Sequence, residues 1–241
     1  TITIEHLLHH TSGLRDYTVL WWMAGKTFWN YGSDEEALDL LSRQTALGFT
    51  PGSKFAYSNT GYFLMSVIVQ RVSEKSLADF AHERIFTPLN MKSTYFQDHL
   101  GRVTPHHASA YVPADEDTFI NRVTGWDLYG DDGLNTTVGD LAKWQRNFDA
   151  PNVGGAWLIQ QLEQRGVLNN GEEIEYARGL EVNDKGYRGL RTVKHDGGNW
   201  DGYRADLMRL PSEKFSIAVL CNSLGEDAGS LRTQLADIQM E

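Results

Sequence analysis

Hydrophobic and polar positions along the chain alternate between helical and strand periods. Thr3 precedes Ile4, Leu7 and Leu8 at helical spacing, which predicts a short capped helix. That helix is expected to end at Thr11-Ser12-Gly13, with Gly13 as a left-handed terminator. Residues 14–32 are rich in Trp and Tyr and show no clear period. Ser33 with Glu36 three positions on reads as a capping box for a helix whose apolar side is Ala37, Leu38, Leu40 and Leu41. After the Pro51-Gly52 turn, residues 60–73 form a helix apolar nearly all round, expected to be central and buried. Ser76 with Asp79 caps a further helix, which Pro88 prevents from continuing. Residues 93–135 are irregular. Thr137 with Asp140 opens another helix, and one more is expected near 155–165.

Past Gly171 the period changes. Segments 176–182, 190–195, 202–210 and 214–222 carry β-branched and aromatic residues and read as strands. Asn183-Asp184-Lys185-Gly186 and Pro211-Ser212-Glu213-Lys214 read as hairpin turns, and 227–240 as a closing helix. Helices, then an antiparallel meander, then a helix predict an α+β fold. No repeat or linker divides it, so residues 1–241 are read as one domain.

Composition narrows the function. The formal net charge is -10, from 22 Lys+Arg against 32 Asp+Glu, with no basic run, which argues against nucleic acid as a partner. The lone Cys221 lies in an apolar run; it excludes an intrachain disulfide and reads as a buried small apolar residue. No apolar stretch is long enough to span a bilayer.

Two short segments offer chemistry. Tyr57-Ser58-Asn59 stands at the entrance to the 60–73 helix, where Asn59 also fits an ordinary N-cap. His195-Asp196-Gly197-Gly198 ends a strand, and its glycines allow a ligand close to outward-pointing amides. A tight turn is the plainer reading of the same residues. His6 and His10 lie four apart on the first helix, but without the Glu of a metal-binding HExxH pattern, so neither a metal nor a cofactor is expected.

Taken together, these segments are more specific. Leu7-Leu8-His9-His10-Thr11-Ser12-Gly13-Leu14 resembles the LLxHTSGL segment of the serine β-lactamase-like family. Residues 51–62 resemble its PGxxFxYSNxGY segment, and Ile85-Phe86-Thr87-Pro88-Leu89-Asn90-Met91 its IFxPLGM segment. Residues 132–142 resemble GGLxSTxxDLA, with Asn135 where Ser is usual, and His195-Asp196-Gly197-Gly198 resembles the third catalytic motif, Lys-Thr-Gly or His-x-Gly. The family includes class C β-lactamases, D-Ala-D-Ala carboxypeptidases, D-aminopeptidases and related esterases.

The resemblance implies an antiparallel sheet flanked by helices and a serine hydrolase working through an acyl-enzyme on a small-molecule or peptide amide or ester. It makes Tyr57 and His195 the catalytic residues of this chain. Asn59 is then substrate-binding, together with Asp196, Gly197 and Gly198. Tyr57 would move protons, Asn59 would bond the substrate's amide, His195 would face a substrate carboxylate, and the Gly198 amide would be an oxyanion donor. It also leans towards a periplasmic or secreted location, which no residue fixes.

One element is missing. None of the eight lysines has a serine three positions earlier, so the family's Ser-x-x-Lys does not occur in these residues. In the family that motif precedes LLxHTSGL, which here begins almost at Thr1. The expectation is therefore an N-terminally truncated domain, inactive by itself, with an exposed sheet edge and apolar face open to association with another chain. The alternative is a non-catalytic binding or scaffold protein that keeps the pocket.

Overall fold

The computed structural model describes residues 1–27, 29–198 and 202–240. Its N-terminal half is helical. α1 (Ile4–Leu8) starts with a capping box in which Thr3 and His6 exchange hydrogen bonds. α2 (Tyr17–Met23) occupies part of the stretch that showed no period; Asp16 caps it by accepting from the Thr18 amide. β1 (Gly32–Ser33) leads into α3 (Asp34–Ser42), where Ser33 and Glu36 form the expected box. α4 (Asn59–Ser73) is followed by α5 (Leu77–Ala81), which continues into one π-helical turn, His82–Phe86.

The 93–135 region is less irregular than its sequence implied. It holds β2 (Tyr95–Phe96), the hairpin of β3 (Ala110–Pro113) with β4 (Phe119–Arg122), β5 (Trp126–Asp127) and β6 (Leu134–Asn135). β5 pairs in parallel with β1 and β6 antiparallel with β2, so this segment is tied back to the helical half. α6 (Val138–Asp149) starts at Thr137, whose hydroxyl accepts from the Asp140 amide, and α7 (Gly155–Leu162) follows.

The C-terminal part is a four-stranded antiparallel sheet, order β10-β9-β8-β7, with α8 (Ala228–Gln239) packed on it. β7 is Glu181–Tyr187, β8 Leu190–Gly198, β9 Arg204–Leu210 and β10 Phe215–Cys221. The turn expected at 183–186 is instead part of β7, at a register shift between Asn183 and Tyr187. Gly186 is needed there because a Cβ would come within 2.2 Å of Thr192 Oγ1. The chain reverses at Arg188 and Gly189, both at positive φ (48° and 80°), as a two-residue hairpin loop with right-handed strand twist requires. The Pro211 turn lies where expected, as a short 3₁₀ segment ending at Lys214 with φ 50°.

Two apolar layers matter for the site. Tyr17, Trp21, Phe63, Val67, Trp126 and Leu128 pack α2, α3 and α4 together. Ala177, Val182 and Val193 cover the sheet face that looks towards them, while Met208, Leu210 and Ala236 join the other face to α8. Arg209 is buried against Phe148 and reaches Asp149 and Glu163, which fastens β9 to α6 and the end of α7.

α4 differs from its expectation. Thr60, Gly61, Phe63, Ser66 and Val67 are buried, but Met65, Ile68 and Val69 are only half-buried and Val72 is 80% exposed. Those four lie at i, i+3, i+4 and i+7, a helical stripe that is only partly covered. Cys221 is likewise only partly buried, because β10 pairs with β9 alone and is an edge strand among the described residues.

α1 crosses α4 at Gly61, where an added Cβ would stand 2.7 Å from the Leu7 carbonyl oxygen. Gly61→Ala is therefore expected to push the two helices apart and to cost about 1–3 kcal/mol. A thermal melt measures this; an unchanged midpoint would show that the helices do not meet there.

Candidate active site

The site is assembled from a turn, a loop and a strand end. α1 ends at Leu8 rather than near Gly13, and the next residues turn sharply: His10 has φ 54° and Gly13 φ 75°. This turn docks on the 48–58 loop through backbone bonds from Gly48 to Gly13, Gly52 to Thr11 and Ala56 to His10. His10 is 2% exposed. Its Nδ1 lies 3.2 Å from the Ser58 amide nitrogen and 3.1 Å from the Ser58 carbonyl oxygen. In either neutral tautomer Nδ1 is therefore committed to residue 58, accepting from the amide or donating to the carbonyl.

Tyr57 and Asn59 flank that anchor. The Tyr57 ring stacks on His10 at 4.1 Å between centroids and stands 6.4 Å from the His195 ring. The phenol has no hydrogen-bond partner among the described residues, and about half of the residue is exposed. Burial, then the negative charges of Asp131, Asp16, Asp196 and Asp132, push its pKa up to about 12. At neutral pH it is a proton donor, not a base.

Asn59 is the first residue of α4, not its cap; Ser58 takes the cap position and makes no side-chain cap bond. Both the Asn59 backbone amide and its Nδ2 donate to Asp16 Oδ2, at 2.7 and 2.9 Å. The other Asp16 oxygen accepts from the Thr18 amide and hydroxyl. Asn59 thus offers a ligand its side-chain oxygen, an acceptor for an N–H.

His195 sits on β8 beyond the point where β7 stops pairing, at Lys194. From His195 to Gly198 the outer edge of β8 has no strand partner among the described residues, so its backbone is open to the cleft. Strand alternation separates the motif residues. Val193, His195 and Gly197 share the face towards α4, while Asp196 and Gly198 stand with their cross-strand partners Asp206 and Arg204 on the α8 face. The structure brings the His195 ring and Tyr57 together; the Asp196 side chain is turned away, and only its charge reaches Tyr57.

Two residues of this site, Asp16 and Tyr176, were not singled out by sequence, and His10 was weighed only as a metal ligand. Tyr176 lies just before β7, 5% exposed, with its hydroxyl 2.9 Å from His195 Nε2. The signal for His10 was present in the matched His-Thr-Ser-Gly segment but read as a helix-ending turn. The other nearby histidines have partners elsewhere: the Thr3 amide donates to His6, and His9 contacts Glu5 and the distant Gln164.

A separate cavity of about 430 Å³ has Tyr17, Trp126, Leu128, His107, Asn135 and Tyr203 among its walls. The Tyr17 hydroxyl donates to Asp131 Oδ2 at 2.8 Å. Asn135 accepts there from His107 Nε2 at 2.9 Å. Trp126 lines this cavity, Trp21 is core packing, and Trp22 and Trp29 are exposed.

Known proteins share this fold. The beta-lactamase family matches residues 1–240. The chain is 32% identical over 234 residues to penicillin-binding protein 4* of Bacillus subtilis (strain 168), covering 92% of this chain and 51% of that one. It is 28% identical over 219 residues to a D-aminopeptidase of Gluconobacter oxydans (strain 621H), covering 91% and 41%. The chain thus spans about half the length of the curated relatives it matches. Among solved structures, the octameric penicillin-binding protein homologue from Pyrococcus abyssi superposes with a TM-score of 0.81 at 26% identity, over 100% of this chain and 56% of that one. A D-stereospecific amidohydrolase from Streptomyces sp. shares the fold, with a TM-score of 0.77 at 18% identity, over 100% and 73%.

Burial lowers the His10 pKa from 6.5 to about 4. The unfolded chain then takes up a proton that the folded protein resists, so this contribution is complete above pH 6.5 and is lost as pH falls towards 4. It amounts to about 3 kcal/mol. His10→Asn, which tolerates the positive φ and does not titrate, is expected to flatten the dependence of the urea midpoint between pH 7 and pH 4.5 relative to wild type. Equal slopes in the two proteins would place His10 outside the core.

Proposed function

The chain belongs to the beta-lactamase family, and from that premise we propose that it is part of a serine hydrolase that cleaves an amide or ester through an acyl-enzyme. The nucleophilic serine and its lysine would come from residues outside these 241, none of which forms Ser-x-x-Lys. The observation that carries the reading is the approach of Tyr57 to the His195 strand end, 6.4 Å between rings, across a cleft bordered by an open strand edge.

The chemistry follows from the groups present. A serine oxygen attacks the substrate carbonyl as its proton passes to the amine of the incoming lysine, and the oxyanion that forms is met by backbone amides, that of Gly198 among them. Tyr57, held as a phenol, gives its proton to the leaving amine or alkoxide as the acyl-enzyme forms; in hydrolysis the attacking water returns a proton to Tyr57 and the lysine returns one to the departing serine oxygen. To take a proton from the serine instead, Tyr57 needs a cation nearby. The charges that act on it here are carboxylates, and a lysine brought in with the serine would reverse that field. Asn59 orients the substrate by accepting from its amide N–H. The names of the relatives, a D-aminopeptidase and a D-stereospecific amidohydrolase, favour an amide or peptide over a β-lactam.

The partly covered stripe of α4 and the edge of β10, unpaired among the described residues, support a further part of the proposal: in the working protein, another segment or chain lies over this side. The second reading, a non-catalytic binding protein, is favoured by the absence of Ser-x-x-Lys from these residues.

A fluorophosphonate or penicillin-type probe applied to the full-length protein separates the two. The hydrolase reading expects covalent labelling of a serine; no labelling by any such probe supports the binding protein. In the labelled enzyme, Tyr57→Phe is expected to lower kcat by about 10²-fold or more, the usual scale for a general acid–base group. Near-normal turnover in that variant would remove Tyr57 from the chemistry.

A further inference from the structure

Both ring nitrogens of His195 are occupied. Nδ1 lies 2.6 Å from the Asp196 carbonyl oxygen, which only accepts, so Nδ1 carries a proton. Nε2 lies 2.9 Å from the Tyr176 hydroxyl. When the ring is neutral, the phenol donates to Nε2; when it is protonated, Nε2–H donates to the phenol oxygen. Neither state leaves an N–H for a ligand.

Tyr176 is well placed to keep this bond. It is buried, with His10 4.5 Å, Phe55 5.7 Å and Tyr57 6.2 Å from its ring, and its carbonyl accepts from the Gly166 amide. Burial raises its pKa further above the usual phenol value, so it remains a neutral hydroxyl. Arg204 is the cation in register with Gly198, but it stands on the α8 face, opposite the His195 ring.

We infer that Tyr176 is a positioning residue that withdraws His195 from carboxylate recognition, so that the site takes amino-acid amides and esters in preference to substrates with a carboxylate beside the scissile bond. This deepens, and rests on, the hydrolase reading. A structural tyrosine would affect all substrates alike; one that occupies the imidazole affects their ranking.

The test uses the full-length protein and two substrates differing in the leaving group, D-phenylalanine amide and D-phenylalanyl-glycine. The wild type is expected to favour the amide in kcat/KM by about tenfold or more, the scale set by one charged hydrogen bond. Tyr176→Phe removes the phenol from Nε2 and opens the ring to the dipeptide carboxylate. It is expected to shift the ratio towards the dipeptide by about tenfold, mainly through the dipeptide KM. A wild type that prefers the dipeptide, or a variant in which both rates fall with an unchanged ratio, overturns the inference. ¹⁵N spectra of the His195 ring give a readout independent of turnover. A protonated Nδ1 and an Nε2 signal that moves in Tyr176→Phe support the pair, whereas an Nε2 unaffected by the substitution overturns it. If neither substrate is cleaved and no probe acylates the protein, the hydrolase reading fails, and the spectra still decide the pair.

Discussion

The grip of one buried imidazole on one backbone unit organises the site. His10 is held at positive φ by the turn after α1, and its Nδ1 is committed to Ser58. Tyr57 and Asn59 are the immediate neighbours of Ser58, so the same contact sets where both side chains start. The ring of His10 then supports Tyr57 from one side and Tyr176 from another. Desolvation keeps His10 neutral, which suits this role: a charged ring here would lie buried without a counter-ion in contact.

Around this anchor the electrostatics favour retained protons. Tyr57 and Tyr62 are both phenols whose ionisation burial opposes, and the fixed charges acting on Tyr57 are mainly carboxylates. In such a cleft a phenol can donate a proton, and the Asn59 side-chain oxygen is placed to accept from an N–H. The carboxylate field favours a cation over an anion. The beta-lactamase fold supplies the frame, and these local charges determine which chemistry within the family's range the frame supports.

What the sequence disclosed and what it hid divide along a physical line. The caps at Thr3, Ser33 and Thr137, and the turn at Pro211, depend on contacts within a few residues, and each was legible. α2 was not, because its buried side consists of two aromatic residues, Tyr17 and Trp21, whose pattern is too short to show a period. The hairpin at Arg188-Gly189 was displaced in the sequence reading because Asn183 to Gly186 carry turn-forming residues, whereas an arginine at positive φ gives no such signal. At the candidate site, motifs pointed to Tyr57, Asn59 and His195, and the rings of Tyr57 and His195 lie near each other. Their supports were not legible: His10 meets Ser58 across 48 positions, Asp16 meets Asn59 across 43, and Tyr176 reaches His195 only once β7 and β8 have paired.

The most direct test of this arrangement is a nuclear Overhauser spectrum of the aromatic and imidazole protons. Ring centroids 4.1 Å apart predict strong cross-peaks between His10 and Tyr57, and 4.5 Å predicts them between His10 and Tyr176. Cross-peaks from Tyr57 to unrelated parts of the chain, with none to His10, would mean that the imidazole does not hold the site together.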